Sequence, residues 1–263
     1  MSNSNSDGKH SWKELYQRFN QGWGSFAFAI VLALSIRWAL IEAYVIPSAS
    51  MLPSLLIHDH IFVNKAIYGL RFPFTEKWLV QFQKPKRGEI IVFKYPRNME
   101  TFFIKRVIGL PGDKIMYENG RLIINGVPLK TTQPGFADEW SMLSDTDFQK
   151  EDFQNPLYST DSKDAYDHFT EELDSHQHSI LLRKDGGFSR TEGPWVVPEG
   201  QLFMMGDNRD NSHDGRRWGF LPIENILGRA MFVWLSCEST VPGLSFLCNP
   251  MTVRWNRLLH SVR

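Results

Sequence analysis

One apolar stretch dominates the start of this chain. Trp23 to Ile36 carries no charge, and the apolar pattern continues past Arg37 and Glu42 to Ile46. With Arg37 snorkelling toward headgroups, residues 23–46 meet the roughly 20 residues that a bilayer span requires. A cleavable signal peptide is the competing reading, with Ala27-Phe28-Ala29 as its small-x-small site. The anchor is preferred. Residues 1–22 are polar and include Lys9, Lys13 and Arg18, whereas no Lys or Arg follows Arg37 until Lys65. This asymmetry predicts a cytoplasmic tail, a single span of the inner (cytoplasmic) membrane and an extracytoplasmic body.

Beyond Ile46 the runs are short and strand-like: HIFVNKAIY (60–68), GEIIVFKY (88–95), TFFIKRVIGL (101–110) and KIMYENGRLIING (114–126). The last contains Asn119-Gly120 between apolar runs, which predicts a β-hairpin. Strand character resumes in GPWVVPEGQLFMMG (193–206) and GRAMFVWLS (228–236), whereas 131–192 lacks steady periodicity and reads as an inserted, loop-rich acidic subdomain. The predicted fold is therefore mostly β. An antiparallel β-sheet body, 47–130 and 193–263, carries the insert and follows one transmembrane helix. The aromatic stretch YGLRFPFTEKWLVQF (68–82) is either a core strand or a segment that dips into the outer leaflet.

Composition sharpens this picture in three ways. With 263 residues, 42% of them hydrophobic, the chain can bury a real core, and its nine Trp and nineteen Phe favour strands and half-wet surfaces. Charges balance at 29 of each sign, yet residues 131–180 hold twelve acidic side chains against two lysines, which leaves the remainder basic and suited to anionic lipid. No basic run with interleaved aromatics suggests a nucleic-acid partner. Cys237 and Cys248 lack metal-ligand spacing, and whether they pair is open.

Reactive groups gather in three stretches: IPSASM (46–51), FFIKRVIGLPGD (102–113) and GDNRDNSHDGRRWGF (206–220). A lysine on an alternating strand usually faces water. If Lys105 instead points inward, desolvation favours its neutral amine, which can act as general base toward a serine. No Gly-x-Ser-x-Gly elbow supports an α/β-hydrolase triad. His58-Asp59-His60 reads as a turn between strands, and His213 draws attention only by its place in the third stretch. A Ser–Lys pair is the leading arrangement.

Together, Arg37 and Glu42, PSASMLPSL (47–55), RGEIIVF (87–93), FIKRVIGLPGD (103–113) and GDNRDNSHDGRRWGF (206–220) resemble the bacterial type I signal peptidases, also called leader peptidases. The resemblance covers residues 37–126 and 193–235. It implies a catalytic β domain using a Ser/Lys dyad, with Ser50 as nucleophile and Lys105 as base. Ser48 would share the oxyanion hole with the Ser50 N–H, Ser212 would orient the lysine, and Arg106, Asp214 and Arg216 would form a supporting ion-pair cluster. Substrate pockets would involve Tyr44, Ile46, Met51, Leu55, Phe103 and Ile104. The implied partners are preproteins carrying signal peptides and membrane lipid, with room for the export machinery; no metal or organic cofactor is implied. Gly215, Ser54 and His58 depart from the usual Ser, Thr and Gly. A self-cleaving Ser/Lys protease and a catalytically idle signal-peptide-binding paralogue are the alternatives. An apolar helix in place of a DNA-binding domain argues against the first, and intact Ser50, Lys105 and Ser212 argue against the second.

Overall fold

A computed structural model describes residues 12, 16, 23–72, 75, 78–149, 162–174, 176–185 and 191–262. The expected tail, 1–22, lies outside the described residues except at positions 12 and 16. Helix α1, Trp23–Ala39, has 17 residues, and its Phe26, Phe28, Val31 and Leu34 are exposed. Among the described residues no helix is long and apolar enough to cross a membrane. The helical run expected to reach Ile46 is corrected, because Ile41–Val45 is strand β1. It pairs with β2, Asp59–Asn64, placing Ile41 opposite Asn64 and Val45 opposite His60. A short apolar run suits either helix or strand, and the available ladder partner decides.

The main sheet continues with β3 (Ile90–Tyr95), β4 (Asn98–Gly109), β5 (Gln201–Met205), β6 (Leu221–Pro222), β7 (Ile226–Ser236) and β8 (His260–Ser261). Its order is β1-β2-β7-β3-β4-β5-β6, with β8 against β7, and the pairings are antiparallel. Strands β3 and β4 are apolar on both faces because both faces are covered. Ile90, Val92 and Ile104 pack with Ile46, Met51, Leu55, Ile61 and Val63. Ile91, Phe93, Phe103 and Val107 pack with Tyr68, Leu202, Met204 and Trp218. Each such buried side chain contributes about 1.5–3 kcal/mol before entropy is counted against it.

A four-stranded sheet joins Glu192–Val196, Lys114–Glu118, Arg121–Ile124 and Val127–Pro128. Asn119 and Gly120 turn with φ of 49° and 81°, the left-handed pair that the hairpin signal requires. Gly69–Arg71 and Trp78–Gln81 form a separate hairpin. There Phe72, Leu79, Val80 and Phe82 are exposed, while Tyr68 and Trp78 pack on the body. Cys237 and Cys248 are joined by a disulfide, Cα to Cα 5.7 Å, that closes the hairpin of Thr240–Val241 and Leu244–Cys248.

The loop-rich reading of 131–192 is also corrected. Tyr166–Leu173 and His176–Arg183 form an eight-by-eight hairpin, and Thr131–Thr132 adds a third strand. Tyr166, His168, Glu171 and Leu173 are the buried residues of the first strand. Two of the four are polar, so hydropathy alternation is hidden. Leu143, Phe148, Tyr166 and Leu181 of the insert share a core cluster with Ala49, Leu52, Leu56 and Ile57. The insert thus packs directly under the serine cluster.

Candidate active site

Strand β1 ends before Pro47, which has no N–H to continue a ladder. Ile46 remains tied to the β2 end, its N–H donating to the Asp59 carbonyl at 2.9 Å while its carbonyl accepts from the His58 N–H at 2.8 Å. The chain then makes a short 3₁₀ turn, Ala49–Met51, and all three residues are buried. His58, at φ 65°, closes the return in the left-handed region that glycine adopts most easily. The departure from the usual Gly is therefore accommodated in the same turn.

Ser50 and Lys105 are each 1% exposed, and the Lys105 Nζ donates to the Ser50 Oγ at 2.5 Å. The Ser48 and Ser50 hydroxyls are 3.2 Å apart. Lys105 lies in β4 opposite Ile91, on the side of Phe103, whose ring centroid is 5.5 Å from Nζ. An amine and two hydroxyls are thereby gathered in a site shielded from water.

The 206–216 loop closes over this turn. At Gly206 a Cβ would lie 2.4 Å from the Ser50 carbonyl oxygen and 2.3 Å from the Ser212 Oγ, so only glycine permits this approach. Asn208 donates its backbone N–H to the Ser50 carbonyl and its Nδ2 to the Ala49 carbonyl, both at 3.2 Å. Ser212 is buried beside Gly206, but no hydrogen bond joins it to Lys105.

The three expected support residues divide into two ion pairs. Arg106 grips Asp207 through Nε at 2.8 Å and Nη2 at 2.6 Å, and its Nη1 donates to the Gly88 carbonyl at 2.7 Å. Arg216 pairs with Asp214 at 2.9 Å, and Asp214 also accepts the Gly206 N–H at 3.1 Å. Burial alone would raise both carboxyls, but the adjacent guanidiniums hold them below the usual carboxylate range. At Gly215 a Cβ would meet the Met204 carbonyl at 2.8 Å, so a serine there would require backbone movement.

Five of the six expected pocket residues come together. Ile46, Met51, Leu55 and Ile104 share one cluster with Tyr44 packed against it, whereas Phe103 lies in the other cluster. Adjacent strand residues face opposite sides, which explains the separation. His213 stacks edge-on to Tyr95 and Phe103, and burial lowers its pKa.

Sequence reasoning missed several buried polar residues beside the turn. Ser54 donates to Asp207 at 2.6 Å. Glu171 of the insert holds Arg209 with both carboxylate oxygens, one contact at 2.8 Å. His178 lies 3.4 Å from Glu171 and 4.0 Å from Asp207. Burial, then the nearby Arg106, lowers the His178 pKa, favouring its neutral form. Asp207, Asn208 and Arg209 stood in the GDNRD run as a signal, whereas Glu171 and His178 had none.

Comparison with known proteins now decides the family. Residues 20–235 match the family model described as signal peptidase, peptidase S26. The chain belongs to that family. Signal peptidase I of Buchnera aphidicola subsp. Acyrthosiphon pisum (strain APS) is 39% identical over 80% of this chain and 74% of its own. The signal peptidase I of Pseudomonas fluorescens is 36% identical over 86% and 75%, respectively. That of Rickettsia felis is 35% identical over 84% and 81%. Peptidase S26 membership makes this protein a serine peptidase, a hydrolase of peptide bonds.

Proposed function

We propose that the protein is a membrane-bound endopeptidase that removes signal peptides from exported preproteins through a Ser50–Lys105 dyad. The carrying observation is the 2.5 Å contact between two side chains that are each 1% exposed. Burial of the amine favours its neutral form. Neutral Lys105 takes the Ser50 hydroxyl proton as Oγ attacks the scissile carbonyl. The Ser50 N–H and Ser48 hydroxyl donate to the developing oxyanion, and such a donor contributes about 3–4 kcal/mol in comparable sites. Protonated Lys105 then gives its proton to the leaving amine, which leaves an acyl ester on Ser50. Water, deprotonated by the same lysine, releases the product.

Membrane attachment belongs to the same proposal. The apolar segment beginning at Trp23 anchors the protein with its N-terminus cytoplasmic and its catalytic domain, 47–130 and 193–263, outside. Two observations support it: the exposed apolar side chains of α1, and the Lys65 N–H that donates to the Leu40 carbonyl at 2.8 Å, fixing the helix end beside the end of β2, from which the chain runs on to the exposed hairpin at Gly69. A bilayer would cover both surfaces.

The test is cleavage of a preprotein by purified protein in detergent, with the product N-terminus sequenced. Cleavage after the signal peptide, abolished in both Ser50→Ala and Lys105→Ala, is expected. Ordinary turnover by either folded variant would remove the dyad.

A further inference from the structure

We infer that Asn208 is a positioning residue for Ser50, and that the acidic insert exists to hold Asn208 in place. This rests on the reading of Ser50 as nucleophile and assigns a task to residues 131–192. Asn208 is fully buried, and its side chain makes no hydrogen bond to the Ser50 hydroxyl. It donates instead to the two carbonyls on either side of the Ser50 N–H, those of Ala49 and Ser50, at 3.2 Å each. Two donors on successive carbonyls set the rotation of the turn. That rotation sets where the Ser50 Oγ and N–H point.

Asn208 is itself held by the insert. Leu181 forms a parallel bridge with it, the Leu181 N–H donating to Asp207 at 3.0 Å and the Arg209 N–H donating to Leu181 at 3.1 Å. One step further, the Arg183 N–H donates to the Asp210 carboxylate at 2.8 Å. Arg209, 1% exposed, is clasped by both oxygens of fully buried Glu171. Bidentate pairs of this kind fix direction as well as distance. From the other side, Tyr166 and Leu181 pack against Ala49 and Leu52. The insert therefore grips the turn through its side chains and, by way of Asn208, through its carbonyls.

The experiment is steady-state cleavage of a preprotein by the full chain in detergent. Asn208→Ala and Asn208→Asp should each lower kcat about ten- to hundredfold with KM within about twofold, since a misplaced nucleophile loses rate and not substrate. Asn208→Asp keeps the shape and replaces the amide donor by a buried carboxylate facing the Ala49 carbonyl, so a role in packing alone would show as lost stability without the kcat-against-KM split. Glu171→Gln, which weakens the clasp without changing its size, should lower kcat about three- to tenfold with the same split, and it decides the matter if neither Asn208 variant folds. Normal kcat in a folded Asn208 variant, or a loss confined to KM, overturns the inference. Turnover by Ser50→Ala would instead overturn the dyad reading, so the two failures are distinguishable.

Discussion

Replacing Gly206 by Ala is the sharpest single perturbation of the site. The added Cβ would sit 2.4 Å from the Ser50 carbonyl oxygen, and real Cβ contacts essentially never fall below 3.0 Å. The Ser212 hydroxyl can rotate away, but the Ser212 Cβ, at 2.7 Å, and the Ser50 carbonyl move only with their backbones. Ser50 must retreat by about 0.6 Å or the 206–212 loop must lift. Overpacking of this kind costs about 1–3 kcal/mol. Misplacement approaching 1 Å costs about a hundredfold in rate, so a kcat loss of about ten- to hundredfold is expected beside a modest fall in stability. Single-turnover cleavage and thermal melting, measured on the same preparation, separate the two effects. A folded Gly206→Ala enzyme with unchanged kcat would refute the claim that loop and turn are in essential contact.

Arg106→Met should destabilise by about 3–5 kcal/mol in denaturant titrations, because it leaves the Asp207 carboxylate buried without its guanidinium; a loss under about 1 kcal/mol would contradict the pairing. Burial alone would raise the Glu171 carboxyl, but Arg209 and His178 bring it down to about 2 against an ordinary 4.5. Its contribution is therefore present above pH 4.5 and lost as pH falls toward 2, so the stability gap between wild type and Glu171→Gln should close over that window; a constant gap would refute it. If the packed cluster of Tyr44, Ile46, Met51, Leu55 and Ile104 walls the substrate pockets as proposed, it leaves little space for substrate side chains. Leu in place of Ala one or three residues before the scissile bond should cost about 1–3 kcal/mol, or roughly ten- to hundredfold in kcat/KM, and equal cleavage at the same bond would sink the pocket assignment.

The buried Ser50–Lys105 contact and the β-rich body were legible in the sequence for different reasons. Ser50 and Lys105 stand in ordered boxes, and the hairpin at Asn119-Gly120 follows from local turn chemistry. The end of α1 was not legible, since Leu40–Ile46, apolar apart from Glu42, suits either state and the choice depends on pairing with Asp59–Asn64. The insert hairpin escaped because buried His168 and Glu171 occupy positions where an apolar residue would have marked the strand. Asp207 and Asn208 were visible as residues, but their tasks depend on partners far away in the chain: Arg106, Ser54, Ala49 and Ser50.

That separation bears on when the enzyme becomes dangerous to its surroundings. A chain emerging N-terminus first presents Ser50 early and Lys105 soon after, yet the carbonyls around Ser50 wait for Asn208, 159 positions beyond Ala49. Contacts this distant in sequence form late and slowly. If Ser50 is the nucleophile and the body is exported as proposed, a partly translocated chain would carry Ser50 on an unset turn, and proteolysis would begin only after most of the molecule had arrived and the insert had docked.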